Sequence, residues 1–217
     1  MNAKTMTLLA VLAVASTLSS GCVTGRRMIT LETPTQATAA PAGKGSIAIA
    51  SVTDQRRFEN KPASPSTPSI DGDVGSVARD ALKVMIGRQR NGYGGAMGDV
   101  ALAGDATVES QMRSLIEEGL KRRGYAVGAG SGGDSIDVRI DEFWAWFSPG
   151  FATVSFEAQI KSQIALSAGG KQHDLIVRGY GLNRGQVASD ANWQLAYTRA
   201  FEDFLKNLDR ELEAAGL

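Results

Sequence analysis

The sequence predicts an α+β domain: a mostly antiparallel sheet with two main helices on one face and a long Pro/Gly-rich insertion after the first strand. Three observations predict it. Val108, Met112, Leu115, Ile116 and Leu120 recur at helical spacing, as do Trp193, Tyr197, Phe201, Phe204, Leu208 and Leu212. Between these stretches the period falls to two: Ile136, Val138 and Ile140 alternate with Asp137, Arg139 and Asp141, and Val154, Phe156, Ala158 and Ile160 with Thr153, Ser155, Glu157 and Gln159. The resulting order is strand, insertion, helix, four strands, helix.

The first segment is not part of that domain. Lys4 precedes the apolar run from Met6 to Ala15, which gives way to Ser16, Thr17, Ser19, Ser20 and Gly21. This is the pattern of a cleavable signal peptide over residues 1–21, too short to span a bilayer. Leu18-Ser19-Ser20-Gly21-Cys22 resembles the lipobox of bacterial lipoproteins, in which the cysteine thiol receives a diacylglycerol. Cys22 is the only cysteine, so it cannot close an intramolecular disulfide. Each buried methylene of an acyl chain contributes about 0.8 kcal/mol, so two or three chains hold the protein permanently. Val23 stands where an Asp retains lipoproteins in the inner membrane, which by the same resemblance implies the outer membrane, facing the periplasm.

Residues 22–45 are rich in Thr, Ala, Pro and Gly and read as a flexible tether, with Met28 to Leu31 able to form a short strand. The domain is expected over 46–217, long enough for one sizeable core. Its first strand is Ser46 to Val52. Pro62, Pro65 and Pro68 mark an extended surface loop, and a short helix is expected around Val77 to Ile86. Gly87 to Asp99, with five glycines, is expected to be irregular.

Thr107 can cap the next helix and Gly124 can end it. A short strand from Tyr125 to Val127 follows, then a Gly-rich turn and the alternating strands. Gly169-Gly170 turns the chain into a strand from about Asp174 to Asn183, and the closing helix runs from Asp190.

The lipobox, the strand ending Val52-Thr53-Asp54-Gln55-Arg56, the Ile86-Gly87 pair, the helix ending Gly119-Leu120-Lys121-Arg122-Arg123-Gly124-Tyr125 and the final long helix together resemble the YajG-type family of proteobacterial lipoproteins. The resemblance covers most of the mature chain. It implies an envelope location and this fold, in a largely uncharacterised family some of whose relatives carry names tied to flagellar or envelope assembly.

The residue inventory narrows the function classes. Lys and Arg number 23 and Asp and Glu 23; loss of Lys4 with the signal leaves 22 against 23, a net charge of −1. That balance offers no electrostatic footprint for nucleic acid. The single histidine, His173, follows a Gly-Gly turn, and no His, Cys or paired carboxylates have ligand spacing, so neither a metal nor another cofactor is expected and the chain reads as a non-enzyme.

Three constellations could bind. Asp54 with Arg56 forms either a polar site or an ion pair holding the insertion. Arg88, Arg90, Asn91 and Tyr93 among glycines could cradle an anion or simply fold over the sheet. Phe143, Trp144, Trp146, Phe147 and Phe151 cannot all enter one core, because consecutive strand residues point to opposite faces. The phase of Ile136, Val138 and Ile140 sends Phe143 and Phe147 outward, to a partner or to the insertion. The expected partners are the membrane, through acylated Cys22, and an envelope protein; the alternative is a small anionic or glycan ligand held by the Arg/Gly loop.

Overall fold

The computed structural model describes residues 25–36, 43–91, 93–128, 133–150, 153–186 and 189–217; residues 1–24, with the expected signal segment and Cys22, and Gly92 and Phe151 lie outside the described residues. Chain order is β1 (Arg27–Ile29), β2 (Ser46–Asp54), β3 (Glu59–Asn60), β4 (Ser69–Ile70), a 3-10 turn at Val74–Ser76, α1 (Arg79–Lys83), β5 (Met85–Arg90), β6 (Ala96–Leu102), α2 (Val108–Arg122), β7 (Ala126–Gly128), β8 (Asp134–Pro149), β9 (Val154–Ala168), β10 (Lys171–Gly185) and α3 (Asp190–Ala214).

The architecture is α+β, but the sheet is mixed rather than mostly antiparallel. Four of its seven strand pairings among the described residues are parallel: β1 with β6, β2 with β7, and both β2 and β5 with β8. Alternation reports which face a side chain takes and says nothing about a neighbour's direction. Direction comes from the connections, and parallel pairs need long crossovers. The insertion between β2 and β5, both of which run parallel to β8, is one. The long strand β8 organises the sheet: β9 runs along one edge, while β2 and then β5 occupy successive parts of the other.

The helix signals correspond to real ends. The Thr107 hydroxyl accepts from Ser110 N at 3.1 Å, and the Ser110 hydroxyl accepts from Thr107 N at 2.9 Å, a reciprocal capping box. Gly124 follows at φ +86, the left-handed conformation that stops a helix. α3 lays Trp193, Tyr197, Phe201, Phe204, Leu208 and Leu212 onto the sheet, each fully buried. Both long helices belong to one hydrophobic core with the same face of the sheet.

Three expectations fail locally. The tether is ordered where it is described: β1 pairs with β6, Ile29 and Leu31 enter the core, and Arg122 donates to the Pro34 carbonyl at 2.5 Å. The Gly-rich segment is a β-hairpin, with Arg88 opposite Asp99 and Gln89 opposite Gly98. Only Gly94 of its described glycines takes positive φ, at the turn. The helix expected near Val77 to Ile86 shrinks to α1, and Met85 onward is strand.

A fourth change governs the aromatics. Ile140 pairs with Ser162 but Glu142 pairs with Lys161, so Asp141 is an extra residue in β8. Such a bulge reverses the side-chain phase. Before it, even-numbered residues face the helices; after it, Phe143, Ala145 and Phe147 do. Trp144 and Trp146 are left on the opposite face, where the insertion covers them in a second small core with Ile70, Met85 and Phe58.

Candidate functional site

Arg56 follows β2 with a fully buried side chain. Its Nε and Nη2 donate to the two Asp54 carboxylate oxygens at 2.8 and 2.7 Å, Nη1 to the Met85 and Phe143 carbonyls at 2.6 and 3.0 Å, and Nη2 also to the Leu82 carbonyl at 2.8 Å. One guanidinium thus ties β2, α1, β5 and β8 together. Asp54 and Arg56 hold the insertion to the sheet, and their donors and acceptors are committed to that task.

Arg88 and Arg90 do not project from a loop. They lie in β5, 4% and 7% exposed. Arg88 pairs with Asp99 at 2.7 Å and Asp71 at 3.0 Å; Arg90 donates to the Pro62 carbonyl at 2.9 Å and the Ser69 hydroxyl at 2.7 Å. Burial and the neighbouring Arg88 lower the Arg90 pKa from its ordinary value. Asn91 uses its side-chain oxygen on the turn itself, accepting from Tyr93 N at 3.0 Å and Gly95 N at 2.8 Å. Those amides are therefore not an open anion nest. Tyr93 is fully exposed at the tip. A cleft of about 440 Å³ is nevertheless lined by Lys61, Asp71, Arg88, Arg90, Tyr93 and Gly95.

The outward placement of Phe143 and Phe147 is corrected. Phe143 is fully buried and stacked on Tyr197, and Phe147 packs edge-on to Phe156 at 5.5 Å in the same core. The reason is the Asp141 bulge. Trp144 is the aromatic that meets the insertion, donating from Nε1 to the Pro65 carbonyl at 3.3 Å and standing edge-on to Phe58. Cys22 lies outside the described residues.

What the fold leaves open is the sheet face opposite the helices. Where the insertion meets that face there is a cleft of about 640 Å³, lined by residues including Gln55, Arg57, Glu59, Arg139, Glu142 and Gln159. Its walls are cross-linked: Gln163 donates to Asp141 at 2.8 Å and accepts from Arg139, Lys161 lies 3.5 Å from Asp141, and Gln159 donates to the Ser66 carbonyl at 3.2 Å. On β10, directly opposite Gln159, stands Tyr180, 48% exposed, its hydroxyl donating to Glu157 at 2.7 Å. Partial burial and that hydrogen bond push the Tyr180 phenol up to about 12. The polar phase of β8 and β9, Arg139 and Asp141 on one strand and Glu157 and Gln159 on the other, is the signal in the sequence for this surface.

The outer edge of β10 is closed over its second half. Asp203 of α3 accepts from Tyr180 N at 3.0 Å, Asn207 donates to the Arg178 carbonyl at 2.8 Å, and Arg199 donates to the Leu182 carbonyl. Those side chains occupy the backbone groups that a further strand would need along that half of the edge. Among the described residues no three His, Cys, Asp or Glu side chains gather as metal ligands, and no helix is long and apolar enough to cross a membrane. The chemistry on offer is hydrogen bonding and charge pairing by amides, guanidinium groups and carboxylates.

No family model matches the chain. No curated protein matches it either. Solved structures similar to it include one described as an uncharacterized protein, 10% identical with a TM-score of 0.44 over 87% of this chain and 98% of that one. They also include a protein from Xanthomonas campestris, of the family designated DUF330, 10% identical with a TM-score of 0.46 over 88% of this chain and 97% of that one.

Proposed function

We propose that the chain is a lipoprotein of the YajG type, acylated on Cys22 at the outer membrane and facing the periplasm, which acts as a non-enzymatic interaction module of the cell envelope. The observation that carries the binding role is the sheet face opposite α2 and α3. It is open, its polar side chains are held by Asp141, Gln163 and the insertion, and it forms the larger of the two clefts described above. Pre-set side chains lose little freedom on binding, which favours a recognition surface. The anchoring role is supported by Leu18 to Cys22 directly after an apolar run, in a chain with no other cysteine.

A photo-crosslinking residue at Gln159 or Arg139, in cells, tests this reading. An envelope protein captured from both positions, and not from Lys206 on the solvent side of α3, is expected. Equal capture from Lys206, or none from either face position, contradicts it.

A second reading, carriage of a small anionic or glycan ligand, has one observation in its favour: Lys61, Arg88, Arg90 and Tyr93 do share a cleft. Both guanidinium groups are already paired within the fold, which weakens it. Calorimetric titration with inorganic phosphate and with a chito-oligosaccharide separates the readings; saturable heat lost in Lys61→Ala would favour the second.

A further inference from the structure

We propose that the β5–β6 hairpin is the membrane-contacting end of the domain, with Tyr93 seated in the lipid headgroup layer; this rests on the acylation of Cys22. The constraint is covalent. Gly25 N donates to the Met97 carbonyl at 3.1 Å, and Gly98 packs so closely that a Cβ on it would strike the Gly25 carbonyl oxygen. The chain is therefore pinned to β6 at Gly25. From Cys22 to Gly25 there are three residue steps, which span at most about 11 Å in any conformation.

The pinned point is next to the hairpin turn. β1 runs parallel to β6 with Arg27 opposite Val100, so the direction from Arg27 back to Gly25 points toward that turn. Five residue steps along β6 and its turn separate Gly98 from Tyr93, about 15 Å. The turn lies within about 15 Å of this point, and the chain from it to Cys22 can extend no more than about 11 Å. The headgroup layer beside the hydrocarbon core is about 5–8 Å deep.

The side chains at this end suit that layer. Tyr93 is fully exposed, and an aromatic ring with a hydroxyl belongs where one end is apolar and the other wet. Asn91 holds the tip in one shape through Tyr93 N and Gly95 N, so little ordering is needed on contact. Arg26, half exposed beside the pinned glycine, and Lys61, in the same cleft lining as Tyr93, can meet lipid phosphates. The Gly169–Gly170 turn between β9 and β10 is at the opposite end of the sheet, about 40 Å along the strands, and faces away from the bilayer.

In lipidated protein Cys22 is capped, so Tyr93→Cys introduces the single free thiol, and Lys171→Cys does the same at the far turn. Each variant, labelled with an environment-sensitive fluorophore, is reconstituted into vesicles of phosphatidylethanolamine with phosphatidylglycerol, some carrying headgroup quenchers. The expected result is a blue-shifted probe at position 93, quenched several-fold more strongly than the probe at 171. Protein that floats with the vesicles but shows equal, water-like probes at both positions overturns the hairpin contact alone. Protein that does not float with the vesicles overturns the acylation of Cys22 and the hairpin contact with it.

Discussion

Phe143 and Tyr197 stack with ring centroids 5.2 Å apart and 25° between their planes, both fully buried between β8 and α3. The Tyr197 hydroxyl reaches on to the Ile86 carbonyl at 2.5 Å, so this contact joins the closing helix to two strands of the sheet. Phe143→Ala, like Phe201→Ala beside it, is expected to destabilise the domain by about 3–5 kcal/mol, the usual range for a buried Phe. Urea unfolding monitored by circular dichroism checks this. A shift within the range of surface substitutions would mean that β8 does not carry its bulge.

The bulge has its own test. Asp141→Ala keeps the residue count and removes partly exposed contacts to Lys161, Gln163 and Arg139, so it should cost about 1 kcal/mol or less per pair. Deleting Asp141 leaves Ile140, Glu142 and Phe143 in unbroken register with Ser162, Lys161 and Ile160, so Phe143 keeps its place against α3, whereas one alanine inserted between Glu142 and Phe143 turns Phe143 away. The substitution and the deletion are expected to keep cooperative unfolding, and the insertion is expected to abolish it.

Arg56→Met removes the guanidinium that neutralises Asp54 and satisfies three backbone carbonyls. Breaking a buried pair by deleting one partner costs about 3–5 kcal/mol. Limited proteolysis should then cut within residues 57–68 well before the rest of the domain. Unchanged resistance there would show that the insertion is held by Trp144 and Phe58 alone.

Tyr180 should titrate late. Its folded pKa of about 12 lies above the ordinary 10.0, so its neutral form is favoured in the folded protein. Whatever stability this contributes is present below the unfolded pKa and is lost as the pH rises through the folded one. The absorbance difference between wild type and Tyr180→Phe should have its midpoint near pH 12, and Glu157→Gln should move it down. A midpoint at pH 10 would mean that the hydrogen bond to Glu157 is not formed.

The long helices were legible because their signals are local: Thr107, Gly124 and the stripe from Trp193 to Leu212 each act within a turn or two of chain. The alternating strands were legible for the same reason. The bulge was only half legible: Asp141 and Glu142 put two polar residues in a row where alternation would place one, but that one of them is an extra residue is apparent only against Ser162 and Lys161 of β9. The hairpin from Arg88 to Asp99 was obscured by glycines that serve close packing, as Gly98 does against Gly25, rather than irregularity. The binding surface was half legible: its polar residues could be read off β8 and β9, but the cleft depends on where the insertion lands, a long-range contact between Ser66 and Gln159.

Metabolic labelling with an alkyne-tagged fatty acid shows whether a folded binding module is tied to a membrane through Cys22. The wild-type chain should incorporate label and fractionate with the outer membrane, and Cys22→Ser should take up none and be recovered as an uncleaved or soluble periplasmic protein. Label on the Cys22→Ser chain, or none on the wild type, would contradict the account.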